Sequence, residues 1–263
     1  AIFYQGDVSD KILVNKIFSQ HKFDYVIHQA SKINTNALEE DPFHDLRSSV
    51  ISTIILSQNC ITHKVKKLIF ASSVAVYGRS KVLPVAEHGE INPIYSYGIS
   101  KQTAESYLKY FSNYYDLNFQ ILRYANVYGP RQPIYGEVGV IAIYTDKMIK
   151  NEPLIIFGNG ENLRDYIYIS DVVNFTVQSI EFKNSSVYNV GSGSPASVND
   201  VFSEFQKNSL SNLKLIYKSE RFGEIGSFYC QIDQALKTGW RVEVGLKEGI
   251  KRTIGYFNKH NRA

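Results

Sequence analysis

Short apolar runs alternate with longer helical stretches along the first half of the chain. The apolar runs predict strands at residues 2–4, 25–28, 67–72 and 119–124, and the stretches between them predict helices over 41–62 and 95–115. Asp41 and Pro42 suit the N-cap and the first helical position of the earlier helix. Strands that alternate with helices form a parallel sheet covered on both faces, so the pattern predicts a doubly wound α/β fold. Ligands of such sheets bind at the carboxyl ends of the strands.

After about residue 126 the elements become shorter, and Gly, Pro and Asn become frequent. The pattern predicts helices over 139–150 and 246–257, strands at 154–157, 166–169 and 187–190, and a helix that starts at Ser170 and Asp171. Ser197 and Asp200 have the spacing of a capping box, which predicts a further helix start. We therefore expect residues 1–130 to form the parallel-sheet domain. Residues 131–263 are expected to form mainly a smaller, mixed α/β lobe that also returns strands to the sheet.

The composition limits the classes of protein to which the chain can belong. Hydrophobic residues make up 44% and charged residues 21%, which supports a large core and argues against disorder. The sequence has no apolar run near the ~20 residues of a membrane helix. Its net charge of +4 is spread along the chain rather than gathered in a nucleic-acid site, and it suits an anionic small molecule. Cys60 and Cys230 match no metal or redox spacing, so we expect reduced thiols in a cytosolic protein, with a disulfide as the weaker alternative.

Tyr97 and Lys101 form the first candidate for catalytic chemistry. They are four residues apart on a predicted helix and therefore share one face. A lysine ammonium close to a phenol lowers the pKa of the tyrosine, and a tyrosine with a lowered pKa can act as a base near neutral pH. The same spacing is common by chance with the lysine merely solvated, and taken alone it favours that interpretation.

A second signal lies at the end of the predicted strand over 67–72. Ser72 and Ser73 follow the apolar run and precede a turn at Tyr77 and Gly78. A serine at the carboxyl end of a strand can hydrogen-bond a substrate hydroxyl as its proton leaves, whereas an ordinary Ser-rich loop is the alternative. Chance is a much weaker explanation for the two signals together than for either alone.

In this order the motifs resemble those of the extended short-chain dehydrogenase/reductase family, the NAD-dependent epimerases and dehydratases of nucleotide sugars. That family carries Ser-Ser-x-x-x-Tyr-Gly and then Tyr-x-x-x-Lys. The resemblance covers nearly the whole chain, with further matching segments at residues 6–10, 26–30, 122–131, 164–171, 188–191, 221–224 and 239–250. It implies a Rossmann-type fold, NAD as the cofactor and a nucleotide sugar as the substrate.

The resemblance also implies roles for individual residues. Tyr97 is the catalytic base, Ser73 shares the hydrogen bond to the sugar hydroxyl, and Lys101 holds the cofactor ribose and keeps Tyr97 acidic. The residues expected to contact NAD are, besides Tyr97 and Lys101, Asp7, Val8, Gln29, Ala30, Ser31, Ser72 and Tyr124. The residues expected to contact the nucleotide sugar are, besides Ser73, Asn126, Val140, Ile155, Phe157, Arg164, Arg221 and Glu224.

Some of these positions, and two neighbouring acids, have structural alternatives. Arg164 and Arg221 have forked, permanent cations that suit a diphosphate, and surface ion pairs are the minor alternative. Phe157 would face the uracil or belong to a core strand. The role of Asp165 stays open, and Asp171 is expected to be an N-cap because it stands between a strand and a helix.

The predicted reaction is inversion at C4 of a UDP-hexose through a 4-keto sugar. Dehydratases of the family carry Thr-Asp-Glu where this chain has Ser73, Val74 and Ala75, so elimination is disfavoured. Residues 128–132 and 136–141 look most like UDP-glucose and UDP-N-acetylglucosamine 4-epimerases, and the bulk of Phe228 and Tyr229 weakly favours UDP-glucose. A 4-reductase, a uronate epimerase and an inactive sugar-nucleotide binder stay as alternatives. Relatives commonly dimerise, so we expect a homodimer formed through the helices over 41–62 and 95–115.

The sequence departs from the family pattern in two places. The Gly-x-x-Gly-x-x-Gly loop that approaches the cofactor pyrophosphate is absent, and so is the acid that follows it and holds the ribose. Because the chain begins at Ala1 and its only methionine is Met148, we expect about 50–60 preceding residues to be missing and NAD to bind these 263 residues poorly. Residues 48–53 read Ser-Ser-Val-Ile-Ser-Thr where relatives have an Asn before Gly-Thr, which puts one contact near the cofactor in doubt.

Overall fold

The computed structural model describes residues 1–31, 41–133, 139–209, 212–220 and 225–260. By its internal contacts the chain divides into two compact units. The first comprises Ala1–Gly78, Glu90–Arg123 and Thr176–Tyr188, and the second comprises Arg79–Gly89, Tyr124–Phe175 and Asn189–Ala263. Each unit is therefore built from three separate segments of the sequence.

The described residues form nine strands and nine α-helices. The strands are β1 (Tyr25–His28), β2 (Lys67–Ser73), β3 (Phe119–Tyr124), β4 (Asn126–Tyr128), β5 (Leu154–Phe157), β6 (Leu163–Tyr168), β7 (Ser186–Val190), β8 (Pro195–Ser197) and β9 (Leu215–Lys218). The helices are α1 (Lys11–Gln20), α2 (Pro42–Asp45), α3 (Ser52–Thr62), α4 (Ser96–Tyr115), α5 (Val140–Ile149), α6 (Ile169–Gln178), α7 (Val198–Asn208), α8 (Asp233–Lys237) and α9 (Leu246–His260). A π-helical stretch, Leu46–Ile51, joins α2 to α3, and 3-10 turns at Val74–Tyr77 and Ser179–Glu181 follow β2 and α6. Among the described helices, none has the length and apolar character needed to cross a membrane.

The sheet of the first unit has the strand order β1-β2-β3-β7. β1 and β2 run parallel, with Tyr25 opposite Lys67 and His28 opposite Phe70. β2 is buried over its first six residues, as expected for a parallel strand with helices on both faces. The core combines strand residues with apolar residues of α1, α3 and α4, among them Val14, Phe18, Ile55, Leu56, Leu68, Phe70, Leu108, Phe111 and Ile121. This arrangement confirms the predicted α/β fold and places the carboxyl end of β2 between two neighbouring strands.

Lys67 shows how the first unit accommodates a charge at the start of a buried strand. Its ammonium donates to the carbonyl oxygens of Ser179 (3.2 Å), Ile180 (2.5 Å) and Phe182. Backbone carbonyls at the end of a helix lack partners within the helix, so the ammonium satisfies groups that would otherwise be left unpaired. Burial nevertheless lowers the pKa of Lys67, against the opposing charge of Glu181.

The second unit is organised by two small sheets. β4, β6 and β8 form one of them, in which β4 is parallel and β8 antiparallel to β6, and β5 pairs in parallel with β9. Helices α5, α7 and α9 pack a core that includes Ile141, Tyr144, Leu154, Val201, Phe205, Ile250 and Ile254. The mixed pairing agrees with the mixed α/β arrangement predicted for the second half. The predicted capping box of Ser197 and Asp200 is also confirmed at the start of α7.

Asp165 is a structural anchor of the second unit. It is fully buried, and its carboxylate accepts hydrogen bonds from the N–H (2.6 Å) and hydroxyl (2.7 Å) of Ser192 and from the N–H of Cys230 (3.2 Å). A Cβ at Gly191 would lie 2.4 Å from the same carboxylate, so only glycine fits beside it. The acid whose role the sequence leaves open therefore fixes the loop after β7.

Two predictions about local structure are wrong. Residues 2–4 form no strand, because Ile2 and Phe3 are 72% and 86% exposed and no described strand pairs with them. Asp171 is not an N-cap, because β6 passes directly into α6 at Ile169 and leaves no loop residue to cap it. The Asp171 carboxylate instead accepts from the N–H groups of Glu243 (3.3 Å) and Val244 (3.1 Å).

Both cysteines are buried and free, as predicted. Burial also raises the pKa of the Cys60 thiol to about 12. A thiol with this pKa stays protonated at neutral pH and is a poor nucleophile.

Candidate active site

Ser73, Tyr97 and Lys101 meet at the carboxyl end of β2. Ser73 ends β2 and caps the 3-10 turn that follows, where its hydroxyl accepts from the N–H of Ala75 (3.1 Å). Tyr97 and Lys101 lie one turn apart in α4 and are 6% and 1% exposed. The Ser73 hydroxyl is close enough to Tyr97 to lower the pKa of its phenol, and the Lys101 ammonium lies 5.7 Å from the centre of the Tyr97 ring. The structure thus brings together the three residues that the sequence predicts to be catalytic.

Gly98 lets α4 approach the turn after β2. A Cβ at this position would lie 2.6 Å from the carbonyl oxygen of Ala75 and 3.0 Å from the Cβ of Pro93. Gly98 adjoins Tyr97, and Ala75 follows Ser73 by two residues. The close approach of backbone to backbone therefore sets the separation of the Ser73 and Tyr97 hydroxyls.

Burial dominates the electrostatics of this site. It raises the pKa of Tyr97 to about 12, although the neighbouring Ser73 hydroxyl acts in the opposite direction. It also lowers the pKa of Lys101 to about 7, and the charges of Glu105 and Asp45 oppose that change. The prediction that Lys101 lowers the pKa of Tyr97 is therefore wrong for this structure. The physical reason is that desolvation of the phenolate, together with the charge of Asp45, raises the pKa of Tyr97, while the Lys101 ammonium donates to the carbonyl of Ala71 (2.7 Å).

Sequence reasoning missed a buried ion pair behind these residues. Glu105 and Arg123 have side chains only 2% and 3% exposed, and they are joined at two points, Nη2 to Oε2 (2.6 Å) and Nε to Oε1 (2.9 Å). The hydroxyl of Ser72, predicted to contact NAD, donates to Oε1 of Glu105 (2.6 Å), and Nη1 of Arg123 donates to the Tyr77 hydroxyl (2.8 Å). Two signals could have revealed the pair. Glu105 follows Lys101 by four residues, and Arg123 interrupts an apolar strand, where a buried charge needs a partner.

Three further residues predicted to contact NAD lie apart from this cluster in the chain. Asp7 and Val8 precede α1 in the first unit; Asp7 is exposed and Val8 is half-buried. The N–H of Ser9 donates to the Asp7 carboxylate (2.7 Å), which lowers the pKa of that carboxyl group and keeps it ionised. Tyr124 ends β3, is half-buried and belongs to the second unit.

The carboxyl ends of β1 and β2 fit the nicotinamide half of a dinucleotide. Gln29 and Ala30 are exposed directly after β1, and Ser31 is half-buried with its hydroxyl 3.4 Å from that of Ser49. Oδ2 of Asp45 in α2 is buried and has no hydrogen-bond partner among the described residues. Together with the half-buried Ser73 hydroxyl, the buried Tyr97 phenol and the buried Lys101 ammonium, these groups supply donors and acceptors for a ribose and an amide. The glycine loop that would approach a pyrophosphate is not in this sequence.

The described residues predicted to contact the sugar nucleotide belong to the second unit. Asn126 begins β4 and is exposed, and Val140 is the half-buried first residue of α5. Ile155 and Phe157 are half-buried and alternate along β5 with its two buried residues, so they occupy the face of the strand turned away from the core. Because Phe157 lies on this face, it is accessible to a ligand. Its side chain is therefore not part of the core, which was the alternative interpretation.

Arg164 is tied to the backbone of the second unit. Its guanidinium donates to the carbonyl oxygens of Ile225 and Gly226 (2.7 Å each). It thereby fixes the segment that follows Arg221 and Glu224, which themselves lie outside the described residues. Arg164, predicted to bind a diphosphate, thus donates to backbone carbonyls in this structure. This role differs from both interpretations of the sequence, a phosphate contact and a surface ion pair.

Comparison with known proteins agrees with this geometry. The chain matches the NAD dependent epimerase/dehydratase family over residues 1–191. A putative UDP-glucose 4-epimerase of Methanocaldococcus jannaschii is 40% identical over 263 residues, which is all of this chain and 86% of that protein. The crystal structure of UDP-glucose 4-epimerase with UDP-glucose from Thermotoga maritima is similar with a TM-score of 0.95 at 37% identity, over 99% of this chain and 85% of the other. UDP-glucose 4-epimerase of Thermus thermophilus in complex with NAD has a TM-score of 0.91 at 30% identity, over 97% of this chain and 84% of the other.

These similarities confirm the resemblance, the α/β fold and the NAD cofactor that the sequence predicts. The family match extends from the first residue through β7, so it includes Ser73, Tyr97 and Lys101. The chain belongs to the NAD-dependent epimerase/dehydratase family.

Proposed function

We propose that the protein inverts the configuration at C4 of UDP-hexoses, and that it interconverts UDP-glucose and UDP-galactose. The observation that carries this proposal is the grouping of Ser73, Tyr97 and Lys101 at the carboxyl end of β2, with the Lys101 ammonium 5.7 Å from the centre of the Tyr97 ring. Its support is the 40% identity to a putative UDP-glucose 4-epimerase over the whole chain. The three side chains bear a hydroxyl, a phenol and an ammonium, which are the groups needed to move a proton to and from a sugar hydroxyl.

NAD, when bound, supplies the acceptor and donor of hydride at the sugar C4 and, when oxidised, a positive charge that favours the ionised phenol. Tyr97 Oη takes the proton of the 4-hydroxyl and returns it to the 4-oxygen after the configuration has changed. The Ser73 hydroxyl lowers the pKa of Tyr97, so in the reaction it stabilises the phenolate. Lys101 adds a positive charge one helical turn away.

The raised pKa of Tyr97 fits the second half of this cycle. A phenol with a pKa of about 12 keeps its proton at neutral pH and returns it readily to an alkoxide. Removal of the proton in the first half needs positive charge close by, which is why the charge state of Lys101 matters.

The residue assignments made from the sequence extend to the substrate. We assign residues 1–130 mainly to NAD binding and residues 131–263 mainly to the nucleotide sugar. The proposed contacts of the sugar nucleotide remain Asn126, Val140, Ile155, Phe157, Arg164, Arg221 and Glu224. The bulk of Phe228, which is buried, supports glucose over an N-acetylated sugar.

We also assign the protein to the cytoplasm, as a homodimer. Free, buried cysteines support a reducing compartment. The C-terminal half of α4 supports an interface, because Tyr110, Tyr114 and Tyr115 are 43%, 73% and 51% exposed there.

Proton NMR of UDP-glucose and UDP-N-acetylglucosamine tests the function. Each sugar is incubated with NAD and with the protein expressed from its complete reading frame. We expect UDP-galactose from UDP-glucose, no product with Tyr97→Phe, and full activity with Tyr107→Phe, which removes the hydroxyl of an exposed tyrosine on the same helix. A protein that holds NAD but changes neither sugar would overturn the proposed reaction and favour a reductase or a uronate epimerase.

A further inference from the structure

Glu105 lies on the catalytic face of α4 but has no place in the reaction described above. It follows Lys101 by four residues and Tyr97 by eight, so the three side chains share one face of the helix. Glu105 is 2% exposed. A carboxylate is costly to bury unless it is paired, so its position calls for an explanation.

The Glu105 carboxylate is held by two different segments of the first unit. Arg123, on β3, donates to both of its oxygens (2.9 Å to Oε1 and 2.6 Å to Oε2), and Ser72, on β2, donates to Oε1 (2.6 Å). Arg123 in turn donates to the Tyr77 hydroxyl (2.8 Å), and its guanidinium carbon lies 4.8 Å from the centre of the Tyr77 ring. These bonds leave the carboxylate little freedom to move.

The same bonds connect the backbone segments that carry the candidate catalytic residues. Ser72 immediately precedes Ser73, and Tyr77 ends the turn that Ser73 caps. Glu105 belongs to the helix of Tyr97 and Lys101. A shift of α4 relative to the end of β2 would therefore stretch the bond between Ser72 and Glu105 and also change the separation of Ser73 and Tyr97.

Among the described residues, few groups besides the Ala71 carbonyl, to which the ammonium donates (2.7 Å), can stabilise the charge of Lys101. Glu105 on its own helix and Asp45 on α2 favour the ammonium. His28 on β1 also faces it, but burial lowers the pKa of His28 to about 3, so the imidazole is neutral. The aromatic rings of Phe70 on β2 and Tyr97 on α4 lie 4.7 Å and 5.7 Å from the ammonium. Of these groups, Glu105 opposes the effect of burial most strongly.

We propose that Glu105 is a positioning residue of this site: its carboxylate, fixed by Arg123 and Ser72, holds α4 against the end of β2 and places a negative charge one helical turn from Lys101. Only the expected effect of Glu105 on catalysis rests on the proposed function. The protonation of Lys101 is a property of the chain itself and can be measured without substrate.

The first test follows the titration of Lys101 by NMR in protein labelled with 13C at the lysine ε-carbon, with Lys101→Met to identify the signal. In wild-type protein we expect the Lys101 signal to titrate near pH 7. Glu105→Gln should lower the midpoint by roughly one pH unit or more, whereas Glu105→Asp, which keeps the charge, should stay nearer to wild type. An unchanged midpoint in Glu105→Gln overturns the proposal.

A matched control distinguishes this effect from a general change of charge. Glu248 forms an exposed ion pair with Arg252 (2.8 Å) on α9, and both side chains are about half exposed. Glu248→Gln removes the same charge from the protein without approaching the network, so the Lys101 midpoint and the activity should stay as in wild type. An equal shift of the midpoint in both variants overturns the proposal.

A second variant covers the case in which Glu105→Gln fails to fold because Arg123 loses its partner. The double variant Glu105→Leu with Arg123→Met replaces the pair by apolar side chains of similar size. We expect it to fold, to titrate Lys101 at a lower pH than wild type, and to lose epimerase activity at least tenfold in kcat. A folded double variant with the wild-type midpoint shows that the pair is merely structural and contradicts the proposal. If wild-type protein itself epimerises neither sugar, the proposed function fails while the titration result still stands.

Discussion

Replacing Gly98 with alanine tests whether the close approach of α4 to the end of β2 sets the catalytic geometry. The added Cβ would lie 2.6 Å from the Ala75 carbonyl oxygen, whereas ordinary van der Waals contact begins at 3.4 Å. The helix or the turn must therefore move by about 0.8 Å, the difference between these distances. Overpacking costs about 1–3 kcal/mol, and the better helix propensity of alanine returns at most about 1 kcal/mol. We expect the free energy of unfolding to fall by about 0–3 kcal/mol.

The effect on catalysis should be larger than the effect on stability. A displacement near 1 Å between reacting groups can lower a rate by roughly 100-fold, so we expect kcat to fall by roughly 10- to 100-fold. Gly255→Ala is the matched control, because a Cβ at Gly255 in α9 meets no atom within 4 Å. It should leave kcat unchanged and stabilise the protein by up to about 1 kcal/mol. Epimerase kinetics measure kcat of both variants, and urea denaturation measures their free energy of unfolding. A Gly98→Ala enzyme with wild-type kcat would refute the reasoning.

Three further predictions concern buried ionisable groups. Lys67→Met should lower the free energy of unfolding by about 2–4 kcal/mol in urea denaturation, because three carbonyl oxygens lose their partner. The control Lys66→Met, at an exposed position, should lower it by at most about 1 kcal/mol. Equal losses in the two variants would contradict the account. Cys60 should resist iodoacetamide at pH 8 until the protein unfolds, because burial raises its pKa to about 12, and rapid alkylation of the folded protein would contradict this. Lys101 has a folded pKa of about 7 against an ordinary value of 10.5, so the unfolded chain binds its proton more tightly between these values. The difference in free energy of unfolding between wild type and Lys101→Met should therefore increase in favour of wild type as the pH rises from about 7 to about 10.5. A difference that does not change with pH would show that Lys101 is not desolvated.

The sequence predicted those parts of the fold that depend on local patterns. β5 begins and ends where the apolar run does, at Leu154 and Phe157, and α7 begins at the predicted capping box. Residues 2–4 show the limit of such patterns, because an apolar run becomes a strand only when another strand pairs with it. α1 was missed, although Asp10 caps it by accepting from the N–H groups of Ile12 (2.9 Å) and Leu13 (3.1 Å).

The candidate site was predictable where its residues are close in sequence. Tyr97 and Lys101 share a helix face because of their spacing, and Ser73 follows from the end of a strand. The partners of Glu105 were not predictable in this way, because Arg123 approaches it only when β3 lies beside β2 and α4 packs on the sheet. The direction of the Tyr97 pKa was missed for the same reason, since desolvation depends on the surrounding fold and not on the distance to Lys101 along the chain.

The most direct test of the central claim, inversion at C4 by removal and return of the same hydride, uses UDP-glucose deuterated at C4. The protein from its complete reading frame is incubated with NAD and this substrate in ordinary water, and the UDP-galactose formed is analysed by NMR and mass spectrometry. The account predicts that the product keeps its deuterium at C4. Product that carries hydrogen at C4 instead would show exchange with solvent, and it would contradict a hydride cycle confined to the site of Ser73, Tyr97 and Lys101.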